Sequence, residues 1–163
     1  MRAMSPRLLV LPVVAVLLTG CGAASIEIAT PKVDATERST CQRLVRELPA
    51  TLESLVTRAV VPRTALGHAW GDPAVVLTCG VAMPADFQPG APCEEVNGVG
   101  WYVPTDQFGD LSEDLTIYTI GRDPVVEVDI PAEHRRDAAF AGDALSTIAG
   151  LVKKAIPQAE RCV

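Results

Sequence analysis

Asp114-Leu115-Thr116-Ile117-Tyr118-Thr119-Ile120, Gly121-Arg122-Asp123-Pro124 and Val125-Val126-Glu127-Val128-Asp129-Ile130 form the stretch that decides the fold. Two β-rich runs flank four turn-forming residues, so the stretch reads as two strands joined by a turn. Successive side chains of a strand point to opposite faces. Val126, Val128 and Ile130 therefore share one face, and Glu127 and Asp129 share the other. One apolar and one wet face is what an antiparallel sheet covered on a single side presents.

Two more strands precede this pair. Ala74 to Val81 (AVVLTCGV) is a β-rich run introduced by Gly71-Asp72-Pro73. Val96 to Val103 (VNGVGWYV) is another, softened by Gly98 and Gly100. After the strands, Ala132 to Ile156 reads as one helix. Leu145, Ile148, Val152 and Ile156 recur at helical spacing, Lys153 and Lys154 suit the negative end of the dipole, and Pro157 stops it. Before the strands, Ser39 and Gln42 make a possible capping box for a helix carrying Leu44, Val45 and Leu48. Pro49 interrupts that helix, and Thr51 to Val60 offers a second helical stretch. The expected architecture is a small α+β domain over residues 37–163, with an antiparallel sheet of about four strands and helices packed on one face.

The first 20 residues read as an address. Arg2 and Arg7 precede an uncharged apolar run from Leu8 to Leu18. Such a run is too short to span a bilayer, which takes about 20 apolar residues, and it suits the core of a signal peptide. Leu18-Thr19-Gly20-Cys21 follows. A hydrophobic residue, two small residues and a cysteine resemble the lipoprotein cleavage site, where Cys21 carries lipid and becomes the new N-terminus. The protein is then expected on the outer face of the cytoplasmic membrane, held by acylated Cys21. Residues 21–36 would form a tether, within which Ile26 to Pro31 is either an edge strand or plain linker. Removing residues 1–20 takes away two arginines and no acid, leaving 143 residues and a net charge of -8 in place of -6. An acidic surface of this kind excludes a sequence-independent grip on nucleic acid.

Five cysteines are an odd count. With Cys21 assigned to lipid, Cys41, Cys79, Cys93 and Cys162 are left, an even number that in an exported chain reads as two disulfides. The favoured pairing is Cys41–Cys162 and Cys79–Cys93, because Cys41 opens one helix and Cys162 follows the last. No C-x-x-C spacing supports a zinc or thioredoxin-like site.

Several segments resemble a known family. They are Cys41-x-x-Leu44-x-x-x-Leu48-Pro49, the run Ala69-Trp70-Gly71-Asp72-Pro73 through Cys79-Gly80-Val81, Val99-Gly100-Trp101, and Thr119-Ile120-Gly121-Arg122-x-Pro124-Val125-Val126. Together they are similar to the actinobacterial envelope proteins known as domain of unknown function 3515. The resemblance implies a small exported or membrane-anchored protein. It supplies no activity, so no catalytic residue is carried over.

The chemistry-bearing residues are few. His68, near Trp70 and Asp72, and His134, in a charged helix start, are the two histidines. Neither a G-x-S-x-G elbow nor H-E-x-x-H occurs, and no cofactor or metal is expected. Glu94-Glu95, Glu127 and Asp129 read as a solvated acidic face, with calcium or a cationic partner as the competing use. Trp70, Trp101 and Tyr102 are candidates for a groove that takes a glycan or peptide, or for plugs of the sheet–helix core. The expectation is a binding or accessory module for another envelope component. The alternatives are a cell-wall-directed hydrolase or transferase using His68 and Asp72, and a purely structural lipoprotein.

Overall fold

In the computed structural model, residues 24–107, 109 and 111–159 are described. Cys21 and Cys162, together with the signal segment, lie outside them. The N-terminal tether ends sooner than the sequence suggests. Ile26–Glu27 (β1) already pairs in parallel with Val60–Val61 (β4), and Ile28 is buried at 2% exposure.

Helix α1 spans Ala35–Glu47. Its capping box lies upstream of the Ser39/Gln42 pair. The Asp34 carboxylate accepts from the amides of Thr36 and Glu37, and the Glu37 carboxylate accepts from the Asp34 amide. Leu48 ends the helix in an extended conformation, which the following Pro49 favours. The expected second helix over Thr51 to Val60 is absent. Instead Thr51–Leu52 (β2) and Leu55–Val56 (β3) form a hairpin. Thr51, Val56, Thr57, Val60 and Val61 are β-branched and favour extended backbone, and Glu53 takes a positive φ of 50° at the turn.

The main sheet has six strands, which corrects the expected four. They are β5 (Gly67–Trp70), β6 (Val75–Val81), β7 (Cys93–Val96), β8 (Val99–Tyr102), β9 (Leu115–Ile120) and β10 (Val125–Ile130). Their spatial order is β5-β6-β10-β9-β8-β7, and every neighbouring pair is antiparallel. The two extra strands are the edges. Gly-His-Ala-Trp and Cys-Glu-Glu-Val are each four residues long, too short for alternation to declare itself. The expected C-terminal helix is also divided. Ala132–Arg135 (α2) ends, and Asp137 caps a new helix α3, Ala138–Ala155, by accepting from the amides of Ala139 and Phe140.

The core lies between the sheet and helices α1 and α3. Leu44 and Leu48 of α1 and Ile148, Ala149 and Val152 of α3 meet Leu77, Val99, Ile117, Val126 and Val128 of the strands. Arg122, 5% exposed, ties the β9–β10 turn to this layer. Its guanidinium donates to the carbonyls of Ile156, just past α3, and of Gly98, the kind of cationic cap that a helix C-terminus favours.

The disulfide pairing differs from the expected one. Cys41 of α1 bonds Cys79 of β6, with Cα atoms 5.5 Å apart and both side chains fully buried. This is the one disulfide between described residues, and it rules out both Cys41–Cys162 and Cys79–Cys93. The physical reason is the layer arrangement. Cys41 sits on the buried face of α1, and Cys79 points inward from the strand beneath it. Cys93 is disulfide-bonded as well.

Candidate functional site

The outer face of the sheet, away from the helices, holds a concave groove. Alternation along β10 sends Glu127 and Asp129 to this face and Val126, Val128 and Ile130 into the core. The register then sets the neighbours. Glu127 lies between Tyr118 of β9 and Thr78 of β6, and Asp129 lies between Thr116 and Val76. The Thr116 hydroxyl donates to Asp129 Oδ1 at 2.6 Å, and the Tyr118 phenol is the cross-strand neighbour that favours the charged Glu127 carboxylate.

The N-terminal segment builds one wall. Residues Glu27 to Pro31 run beside Val76, Thr78, Val81, Ala82, Glu127 and Asp129, enclosing a groove of about 470 Å³. Gly67 makes this approach possible. A Cβ there would sit 2.4 Å from the Leu77 carbonyl oxygen and 3.0 Å from the Ile28 side chain. The lining combines apolar side chains with a few convergent polar groups, which is the usual make-up of a binding cleft.

The electrostatics of the groove are uncompensated. Among the described residues, no lysine or arginine pairs with Glu127 or Asp129. Burial pushes the Glu127 carboxyl above its ordinary value, and the nearby Asp129 charge adds to this, while the Tyr118 hydrogen bond opposes it. Burial likewise raises Asp129, against the Thr116 hydrogen bond, with Asp114 adding repulsion. Tyr118 is held protonated well above the usual tyrosine range, first by burial and then by the Glu127 charge. Such a cleft suits a ligand that brings hydrogen-bond donors or positive charge alongside an apolar body. Among the described residues, no three His, Cys, Asp or Glu side chains gather as metal ligands.

The residues singled out from sequence lie elsewhere. Trp70 and Trp101 are 0% and 1% exposed. Both point inward, and the Trp70 indole N–H donates to the Pro49 carbonyl at 2.8 Å. The Trp101 indole N–H has no acceptor among the described residues. Tyr102 is buried on the opposite face, with Phe87 edge-on to its ring and its hydroxyl donating to Asp86. Burial and the Asp86 carboxylate raise its pKa. The three rings therefore fill the protein and do not line one groove.

His68 and Asp72 do not form a pair. The His68 ring leans on Trp70, with centroids 4.4 Å apart, and shares a hydrogen bond with the Thr57 hydroxyl. Burial lowers its pKa. Asp72 has a side chain 82% exposed and lies 3.5 Å from Arg58. His134 Nε2–H donates to the Pro73 carbonyl. Glu94 and Glu95 sit exposed on edge strand β7, apart from the strand acids they were grouped with.

Sequence reasoning located Glu127 and Asp129 on the wet face but did not join them to Tyr118 and Thr116. The signal was present, since Thr116 and Tyr118 share the alternation of the facing strand in the same hairpin. The N-terminal wall had no comparable signal, because Ile28 is buried by a contact far away in sequence.

Neither a curated protein nor a solved structure matches the chain. One family model does, over residues 6–161. With the whole described fold inside that match, the chain belongs to the family described as Protein of unknown function (DUF3515).

Proposed function

We propose that this protein is an exported, lipid-anchored envelope protein that acts as a binding or accessory module, with the outer-face groove as its contact surface. The anchor reading rests on Leu18-Thr19-Gly20-Cys21 directly after the apolar run Leu8 to Leu18. Acylation of Cys21 with two or more chains would give stable attachment, since each buried methylene contributes about 0.8 kcal/mol.

The observation that carries the binding reading is the pair of half-buried carboxylates lining a concave groove without a cationic neighbour. Placing charges there costs folding energy, and carboxylates shifted by burial in a cleft are one mark of a functional surface. The ligand class that repairs the deficit is an envelope peptide or amine-bearing glycan with an apolar portion.

A photo-crosslinking amino acid at Val76, on the groove floor, tests this in intact cells. A discrete envelope product should form from that position and disappear in the Glu127→Gln/Asp129→Asn variant. The same product forming equally from a probe at exposed Thr64, outside the groove, would overturn the groove assignment. Metabolic labelling with an alkyne fatty acid tests the anchor separately. The label should be present in the wild-type protein and absent from Cys21→Ala.

A further inference from the structure

We infer that the end of the sheet where β5 turns into β6 faces the lipid bilayer, with the β2–β3 hairpin and its exposed Val56 as the lipid-proximal surface. The inference rests on the Cys21 anchor proposed above and adds to it an orientation.

Little slack separates Cys21 from the fold. Ala24, the first described residue, follows Cys21 by three positions, and three extended residues reach at most about 11 Å. Ala24 is itself fastened. Its carbonyl accepts from Arg58 Nη2 at 2.8 Å, while Arg58 Nη1 donates to the Gly71 carbonyl at 2.6 Å. The Ile26 amide donates to the Ala59 carbonyl at 2.8 Å. The fold therefore starts almost at the anchor, and a domain on so short a leash has a near end and a far end.

The fastening point identifies the near end. Gly71 begins the turn between Trp70 and Val75, and its amide donates to the Val56 carbonyl. Arg58, Gly71 and the β2–β3 hairpin thus converge where the chain leaves toward Cys21. Val56 is 62% exposed there, the most exposed large apolar side chain among the described residues. Leu111, 54% exposed, lies in the β8–β9 connection at the same end, because Leu115 pairs with Ile130 and Asp129 with Val76.

The charges at this end specify the kind of lipid surface. Exposed Glu53, Glu113, Asp114 and Glu133 outnumber the exposed Arg136 here, while Asp72 pairs with Arg58, and a net excess of acids is repelled by anionic headgroups. The surface it fits is a zwitterionic interface, met by Val56 and Leu111. The far end, where Asp123 sits in the β9–β10 turn, is about 20 Å higher, the length of a six-residue strand.

The chain from Cys21 onward, which contains every described residue, is joined through its N-terminal cysteine to a lipid bearing an aminothiol-selective cyanobenzothiazole head. The lipid is carried in phosphatidylcholine vesicles. A fluorescent amino acid at Val56 or at Asp123 reports energy transfer to a dye-labelled lipid, and circular dichroism verifies that each variant folds. Transfer from position 56 should exceed that from position 123 at least threefold. Equal or reversed transfer overturns the orientation. Ten Gly/Ser residues inserted between Ala23 and Ala24 should bring the two positions near parity, and a contrast that persists would overturn the short leash as its cause. Because the coupling supplies the anchor chemically, this result is independent of the fatty-acid labelling that tests lipidation in cells.

Discussion

The two faces of the β9–β10 hairpin are made from the same short stretch and have opposite fates. Inward, Ile117, Val126, Val128 and Ile130 are 0–2% exposed and meet the helices. Outward, Tyr118, Glu127 and Asp129 are half-buried on a face that no helix covers, and the two acids line its groove. The inward face gains stability from burial at about 25 cal/mol per Å² of apolar area. The outward face carries carboxylates whose charged forms burial disfavours. One face is built for stability, and the other holds charge at some cost to it.

The comparison breaks most severely at Trp101. Its ring fills the inner face beside Val99 and Ile117. Trp101→Ala should cost about 3–5 kcal/mol, the range for removing a buried aromatic ring. Denaturant unfolding checks this, and a loss under about 1 kcal/mol would return Trp101 to consideration as a binding residue. The Cys41–Cys79 bridge comes next. It closes a loop with a sequence separation of 38, which loop-closure entropy values at about 4 kcal/mol before any native strain. Replacing both cysteines by alanine should lower stability by about 2–4 kcal/mol. The same replacement of one alone would leave an unpaired thiol detectable by maleimide labelling after unfolding.

The outer face is most sensitive at Gly67. Gly67→Ala places a methyl against the Leu77 carbonyl and Ile28. The expected loss is about 1–3 kcal/mol, as for other overpacked positions. Hydrogen exchange should show faster exchange first in residues 26–31, the segment that the methyl displaces. A uniform increase over the helices instead would mean that the N-terminal wall is not a separable layer.

How much of this was legible in the sequence follows from the range of the interactions involved. The central strands β6, β8, β9 and β10 announce themselves through long β-rich runs and through the alternation of Val126, Val128 and Ile130 against Glu127 and Asp129. The edge strands do not, because four residues hold barely one period. The break at Asp137 was readable as a cap but lay inside a run of good helix formers. The disulfide is not legible because Cys41 and Cys79 are brought together by packing α1 onto β6, and no local spacing encodes that. The acids of the groove were visible, but their half-burial was not, since Ile28 and its neighbours close over them from the far end of the chain.

The smallest effect is the most informative about the outer face. Glu127 and Asp129 have folded-state pKa values raised above the unfolded ones, burial being the largest cause in both. The native state therefore binds protons more tightly than the unfolded chain, and stability rises as pH falls through the raised values. The gain is complete once pH drops below the ordinary carboxylate pKa of about 4. Glu127→Gln removes the penalty while keeping an acceptor for the Tyr118 hydroxyl. It should stabilise the protein at pH 7, by less than about 1 kcal/mol because half-exposed charges are screened by solvent. The advantage should shrink on acidification and vanish below the ordinary carboxylate pKa of about 4, where the wild-type carboxyl is protonated in the folded and unfolded chain alike. Thermal melts of both proteins across that range supply the comparison. A variant less stable than wild type at pH 7 would mean that the Glu127 charge is held by attraction, and that the outer face is as much a structural device as the inner one.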